Sequence, residues 1–462
     1  MYIEQIYTNC LAEASYYIES NGEAAVIDPV REPEPYLELA NKRGATIKYV
    51  FETHFHADFV SGHIDLAKAT GAKIIFGPTA EPGYEAYVGE DNEIFKIGAL
   101  DIVLLHTPGH TPESSTYLLR DEDGKDHAIF TGDTLFIGDV GRPDLLDAVI
   151  SKEELGAMLY HSLHNKLMPL ADEVIVYPGH GPGSACGKQI GDETVSTMGA
   201  QKKSNYALQP MSESEFIKTV TDGQPVAPAY FFMDVKMNKQ GYDSVDEVLK
   251  NNLKPLSVED FKATATTEEV FILDTRTQSE FAQGFVPNAV NIGLDGSYAL
   301  WVGAVVPTDV KILLVTEPGK EHESVLRLAR VGYENVGGYL EGGFEAWKAA
   351  GEEVLTLPEV SPEAFATIAK KSGTQILDVR KGGEFEGGHV ENATHLCLSK
   401  LDQEMESVPK SGETYLYCQG GYRSTIAVSL LMSKGWTNLI NVAGGFGQIA
   451  QTDAPVAVPA MA

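Results

Sequence analysis

The sequence predicts an α/β protein of three domains: a larger one over residues 1–250 and two smaller, parallel-sheet domains over 256–353 and 359–454. Three observations carry this. A length of 462 residues suits about three domains at ~150 residues each. The N-terminal part alternates short apolar runs with Gly/Pro turns. The remainder repeats itself at a fixed offset of 104 residues. With 43% hydrophobic and 22% charged residues, there is enough apolar material for a sizeable core.

The elements follow in chain order. EAAVIDPV, TIKYVFETHF, AKIIFG, LDIVLLHTPGH, HAIFTGD and DEVIVYPGH are each an apolar strand that runs into a loop. Several end in His or Asp, which places those polar residues at strand ends, where an α/β scaffold exposes functional groups. DAVISKEELGAMLYHSLHNKLM spaces Val149, Leu155, Leu159, Leu163 and Leu167 for a helix, with His161 and His164 as surface or packing residues. LDTRTQSEFAQGFVPNAVNI (residues 273–292) then matches LDVRKGGEFEGGHVENATHL (residues 377–396) at nine of 20 positions. Each copy continues with a buried-strand signal (KILLVT, TYLYCQ), a helix and a glycine-rich ending (GYLEGGFEAW, NVAGGFGQI). LKPLS (residues 253–257) and TLPEVSP (residues 356–362) read as linkers, and the tail PVAVPAMA as poorly ordered.

A formal net charge of −31 argues against non-specific binding to nucleic acid or anionic membranes. No apolar run approaches the ~18 residues of a membrane span, and the N-terminus reads as a strand, not a signal peptide. Four cysteines (Cys10, Cys186, Cys397, Cys418) do not make a disulfide framework, so a reducing cytoplasm is expected. Cys10 and Cys397 read as core residues.

THFHADF (residues 53–59), HTPGHTPESS (residues 106–115), FTGDTLFIGDVGRPD (residues 130–144) and YPGHG (residues 177–181) carry the metal chemistry. They supply His54, His56, Asp58, His110, Asp133 and His180, each near a strand-to-loop boundary. On HxHADF, TPGHT and TGDxLFxGxxGRxD, residues 1 to about 250 resemble the metallo-β-lactamase superfamily. Within it they are similar to the persulfide dioxygenase branch related to glyoxalase II. The resemblance implies an αββα sandwich and one Fe(II) held by His54, His110 and Asp133. Two imidazoles and a carboxylate leave coordination positions open, as an oxygenase needs. Dinuclear hydrolases of that fold carry another His where this chain has Phe59, and a benzyl ring cannot bind metal. His56, Asp58 and His180 are then expected beside the metal, hydrogen-bonding bound water or substrate, or as inherited structural residues; Asp58 and His180, with Asp133 as a bridge, also leave room for a weak second site. Arg142 reads as an anion contact, a loop anchor or a surface salt-bridge partner, and His63 as structural. Cys186, six residues after His180, either relays a sulfane sulfur or fills a tight glycine-rich loop.

Cys418 opens YCQGGYRST (residues 417–425), a strand that runs into Gln419, Gly420, Gly421, Tyr422 and Arg423, with a helix from about Ser424. Inward backbone N–H groups, a helix N-terminus and Arg423 all stabilise a thiolate or a bound persulfide. With LDVR, GHVENA (His389) and AGGF, this repeat resembles rhodanese, a sulfurtransferase family, in which Cys418 and Arg423 would be catalytic. The first repeat is rhodanese-like but disarmed: its loop is VTEPGKEHES, no cysteine occurs between Cys186 and Cys397, and Phe285 replaces His389. It reads as a structural or docking domain, in which Glu317 and Lys320 could still touch a ligand.

Together the chain is similar to multidomain persulfide dioxygenase–rhodanese fusions of sulfide detoxification. That resemblance implies a low-molecular-weight thiol persulfide (of glutathione, coenzyme A or similar), O₂, sulfite and thiosulfate as ligands, and a homo-oligomer, dimer or tetramer. A zinc thioester hydrolase of the glyoxalase II kind with fused rhodanese modules is the rival expectation.

Overall fold

The computed structural model describes residues 1–145, 150–224, 227–267 and 269–458. The chain forms two compact units, residues 1–248 with 329–332, and residues 249–328 with 333–462.

In the first unit, alternation along the strands builds two six-stranded mixed sheets. The first runs through Tyr2–Thr8, Glu13–Ser20, Glu23–Ile27, Thr46–Phe51, Lys73–Phe76 and Tyr87–Val88. Its first pairings are antiparallel and its later ones parallel. The second is ordered Ser196–Thr197, Ile175–Pro178, Asp126–Gly132, Ser115–Arg120, Leu100–His106 and Ile94–Ile97. Successive side chains point to opposite faces. Tyr16 and Ile18 therefore join Ile102, Leu104 and Phe130 between the sheets. Tyr17 packs outward with Tyr36, Ala40 and Leu66 under the helices Glu34–Arg43 and His63–Thr70. Val103 and Leu105 face the other way, onto Leu155's helix neighbours Leu159, Leu163 and Leu167. The result is an αββα sandwich.

The helix expected from residue 149 onward begins at Lys152, capped by Ser151, whose hydroxyl accepts the Glu154 N–H; Val149 lies outside the described residues. It continues through a π turn at Leu163–Leu167. No helix among the described residues is long and apolar enough to cross a membrane.

The second unit holds two five-stranded parallel sheets of matching order. One runs Pro255–Leu256, Val336–Leu340, Lys311–Val315, Val270–Asp274, Val290–Asn291. The other runs Glu359–Val360, Leu439–Val442, Thr414–Tyr417, Gln375–Asp378, Thr394–His395. Three sequence expectations are corrected here. Both linkers contain a strand: Pro255–Leu256 and Glu359–Val360 pair at the edges of the two sheets. An edge position tolerates Pro255, which has no N–H to donate. The tail is also paired in part, Val456–Ala457 lying antiparallel to His389–Val390, while residues 459–462 lie outside the described residues. Cys10 and Cys397 are half-buried rather than core residues.

Candidate metal centre and sulfur-transfer loop

Four strand ends of the sandwich converge. Thr46–Phe51 leads to His54, Leu100–His106 to His110, Asp126–Gly132 to Asp133, and Ile175–Pro178 to His180. All four residues are buried. His54, His110 and Asp133 gather with ligand atoms within 4.8 Å of one another. Asp133 Oδ2 lies 3.9 Å from His54 Nε2 and 3.5 Å from His110 Nε2. Glycine permits the approach: a Cβ on Gly179 would stand 2.8 Å from Asp133 Oδ1, and one on Gly141 would stand 2.0 Å from the Asp133 carbonyl.

The second nitrogen of each imidazole is held, which fixes the tautomer. His110 Nδ1 donates to the Arg142 carbonyl at 2.8 Å. His54 Nδ1 donates to Thr53 Oγ1 at 3.0 Å, and that hydroxyl donates to Asp28 at 2.7 Å. Both Nε2 atoms thus present lone pairs to the same point. Burial, and then the neighbouring His56, hold His54 well below the ordinary histidine range, so it is neutral, as a ligand must be. Burial disfavours the Asp133 carboxylate, but His180 outweighs it and keeps the group ionised. His54 Nε2 and Asp133 Oδ2 are buried without a hydrogen-bond partner. Buried orphan donor atoms around one point fit a metal ion.

His180 bridges two carboxylates, with Nδ1 2.8 Å from Asp133 Oδ1 and Nε2 2.7 Å from Asp58 Oδ2. Burial opposes its charge, yet Asp133 and Asp58 raise it well above the ordinary range. With Cys186 it forms a second group, Asp58–His180–Cys186. The Cys186 thiol is buried and pushed up by that burial and by Asp58 and Asp133, so it is neutral. His56 turns away from the first group, 3.2 Å from Asp28 and 3.5 Å from Glu52, its ring against Phe59. Phe59 is fully buried. Arg142 is an anchor: it pairs with Asp144 through two bonds of 2.6 and 2.8 Å, and its backbone N–H donates to the Cys186 carbonyl. His63 packs beneath, 3.6 Å from Glu52.

Sequence reasoning missed Asp28, Glu52 and Glu13. Asp28 is a buried non-glycine residue at φ 49, and its carboxylate also accepts the Thr53 N–H at 2.7 Å. The one available signal was its place at the end of EAAVID. Glu13 is buried with both carboxylate oxygens unpartnered, and burial raises it well above the carboxylate range, so it is a neutral acid.

In the second unit, Cys418 leaves the end of Thr414–Tyr417 and is 1% exposed. Its Sγ accepts the Gly421 N–H at 3.1 Å, and the helix Tyr422–Ser433 begins immediately after. The loop is braced from behind, Phe446 and Gly447 N–H groups donating to the Cys418 and Gln419 carbonyls. A Cβ on Gly445, at φ 61, would stand 2.4 Å from the Cys418 carbonyl. Arg380 pairs with Asp378 and reaches Gln419 Oε1 at 3.2 Å. Ser424 Oγ donates back to the Gly421 carbonyl. Arg423 binds Glu384.

The two repeats touch at this loop. Tyr422 Oη donates to the Gly293 carbonyl at 2.7 Å, and the Asn291 N–H donates to Ser429 Oγ at 3.1 Å. Sheet register places Thr316 where the second repeat has Cys418, since Val315 pairs with Asp274 as Tyr417 pairs with Asp378. Glu321 falls at the place of Arg423, and its carboxylate accepts the Gly319 N–H at 2.8 Å. Glu317 and Lys320 line a cavity there with Thr277, Asp295 and Glu323.

Residues 8–180 match the Metallo-beta-lactamase superfamily, and residues 257–350 and 361–452 each match the Rhodanese-like domain. The metallo-beta-lactamase from Staphylococcus aureus subsp. aureus COL is similar over 74% of this chain and 98% of its own, at 31% identity and a TM-score of 0.66. Human mitochondrial persulfide dioxygenase ETHE1 is 30% identical over 42% of this chain and 70% of its own length. The cytoplasmic hydroxyacylglutathione hydrolase of Arabidopsis thaliana is 32% identical over 37% of this chain and 65% of its own. The chain thus spans just under two thirds of that hydrolase, and the two activities are represented at comparable distance.

Proposed function

Because the chain belongs to the metallo-β-lactamase superfamily and carries two rhodanese-like domains, we propose that it is an Fe(II) persulfide dioxygenase coupled to a sulfurtransferase. The observation that carries this reading is the two-His, one-Asp donor set His54–His110–Asp133, with a buried Phe59 nearby that cannot bind metal. Fe(II) bound there would supply activation of dioxygen towards the terminal sulfur of a thiol persulfide. In sum, RSSH, O₂ and water give RSH, sulfite and two protons. The chain's own residues set the stage. Thr53 and the Arg142 carbonyl orient the two imidazoles, His180 holds Asp133 in place, and burial keeps bulk water from the site.

Cys418 would accept a sulfane sulfur, held as a persulfide against the Gly421 N–H and the helix N-terminus. Sulfite attacks the outer sulfur, the S–S bond breaks, and the Cys418 thiolate leaves as thiosulfate forms. Joining both activities in one chain raises the effective concentration of sulfite at Cys418. The thiol carrier is glutathione, coenzyme A or a similar small thiol.

A second reading is favoured by the Asp58–His180–Cys186 group, which offers another three-donor set close by. With two zinc ions the sandwich would be a thioester hydrolase. Turnover of glutathione persulfide and of a lactoylglutathione thioester by the same preparation separates the readings. The dioxygenase turns over only the persulfide and the hydrolase only the thioester.

A further inference from the structure

Arg423 is the one cation within the loop from Cys418 to Ser424, and it is already engaged. Its Nη1 and Nη2 donate to Glu384 Oε2 and Oε1 at 2.6 and 2.7 Å, a bidentate pair that uses both carboxylate oxygens. Glu384 Oε2 also accepts the Lys381 N–H at 3.0 Å, which fixes the carboxylate at the start of its own short helix. Burial disfavours the charge on Glu384, but Arg423 and the Lys381 N–H outweigh it and hold it below the carboxylate range. The side chains are 15% and 31% exposed, so an ion from solvent can reach the pair. The other repeat shows that the pairing belongs to the cysteine-bearing copy. There Glu280 occupies the same place in the repeat, but the position of Arg423 is Glu321, whose carboxylate caps its own loop.

We propose that Glu384 is a specificity-determining residue of the sulfur-transfer site: by neutralising Arg423 it sets how strongly the Cys418 loop attracts sulfur oxyanions. The inference rests on the reading of Cys418 as a sulfur carrier. In loading from thiosulfate, the Cys418 thiolate attacks the outer sulfur. The S–S bond of thiosulfate breaks, sulfite leaves with the electron pair, and the persulfide keeps the single negative charge. Both the arriving and the leaving species are dianions, and either must compete with the Glu384 carboxylate for Arg423. A small-thiol persulfide donor carries at most one negative charge and no oxyanion, so it competes for Arg423 far more weakly. Glu384 therefore tilts the site away from thiosulfate and lets sulfite and thiosulfate depart rather than accumulate.

The test is steady-state sulfur transfer by the full chain, with thiosulfate and with the persulfide of 2-mercaptoethanol as donors, in wild type, Glu384→Gln and Glu384→Asp. Glu384→Gln keeps an acceptor for Arg423 and for the Lys381 N–H while removing the charge. Its KM for thiosulfate is expected to fall about 2- to 5-fold, the range for a partly exposed ion pair, with kcat within about twofold. Its KM for the mercaptoethanol persulfide should change less than the thiosulfate KM. Glu384→Asp keeps the charge and is expected to keep the thiosulfate KM within about twofold of wild type, an outcome independent of how well Glu384→Gln folds. An unchanged or raised thiosulfate KM in Glu384→Gln would overturn the proposal, as would an Asp variant that behaves like the Gln variant. If mass spectrometry finds no added sulfur on wild-type Cys418 from either donor, the sulfur-carrier reading itself fails, and the two failures are distinct.

Discussion

Asp133→Asn is the substitution on which the metal centre turns. The carboxylate has two duties: Oδ2 faces His54 and His110 at 3.9 and 3.5 Å, and Oδ1 receives His180 at 2.8 Å. Loss of a mere supporting partner of a metal ligand costs ~10–100-fold in metal affinity. On the proposed reading Asp133 would be a donor as well as a partner, so the expected fall exceeds about 100-fold. A second effect is structural. Breaking a buried charge pair costs ~3–5 kcal/mol. Here Asp58 remains 2.7 Å from His180, so the cost reduces to about 1–3 kcal/mol. Equilibrium dialysis against Fe(II), an oxygen electrode and sulfur transfer by Cys418 should be read on one preparation. The expected result is lost metal and lost oxygen uptake, with sulfur transfer within about twofold of wild type. An Asn variant that keeps its metal and its oxygen uptake would refute the assignment. Loss of sulfur transfer as well, in a protein with unchanged circular dichroism, would refute the two-site account.

Other predictions follow from the same geometry. Cys418→Ser should leave oxygen uptake intact while sulfite accumulates in place of thiosulfate, measured by ion chromatography; loss of oxygen uptake would count against separate sites. Tyr422→Phe removes the donor to the Gly293 carbonyl and is expected to cost ~1–3 kcal/mol locally. Hydrogen exchange should quicken at the Cys418 loop and not in the sandwich. For metal-free protein, His180 sets a pH dependence. Its raised folded pKa makes its contribution complete below the ordinary histidine value of about 6.5, and that contribution is lost as pH rises through the folded value. Tm should therefore fall between neutral and alkaline pH, and His180→Asn should flatten that decline.

His54, His110, Asp133 and Cys418 were legible as polar residues just beyond apolar strands, where sequence spacing maps onto space; that the first three form one donor set was implied by the family resemblance. Asp28 and Glu52 were not, because a single acid at a strand end carries no periodic signal, and their contacts with His56 form across the sheet. The repeat revealed both parallel sheets, but the two-residue strands Pro255–Leu256 and Glu359–Val360 are too short to show alternation and read as linkers. The repeat also held an unused clue. Glu280 and Glu384 are identical between the copies, while their arginine partner survives only beside Cys418.

The most direct test of the account is oxygen consumption by anaerobically iron-loaded protein on addition of glutathione persulfide, with zinc-loaded protein alongside. Uptake with iron alone, accompanied by sulfite or thiosulfate, is the expected result. Absence of uptake with both glutathione and coenzyme A persulfides, together with thioester hydrolysis by the zinc form, would contradict it.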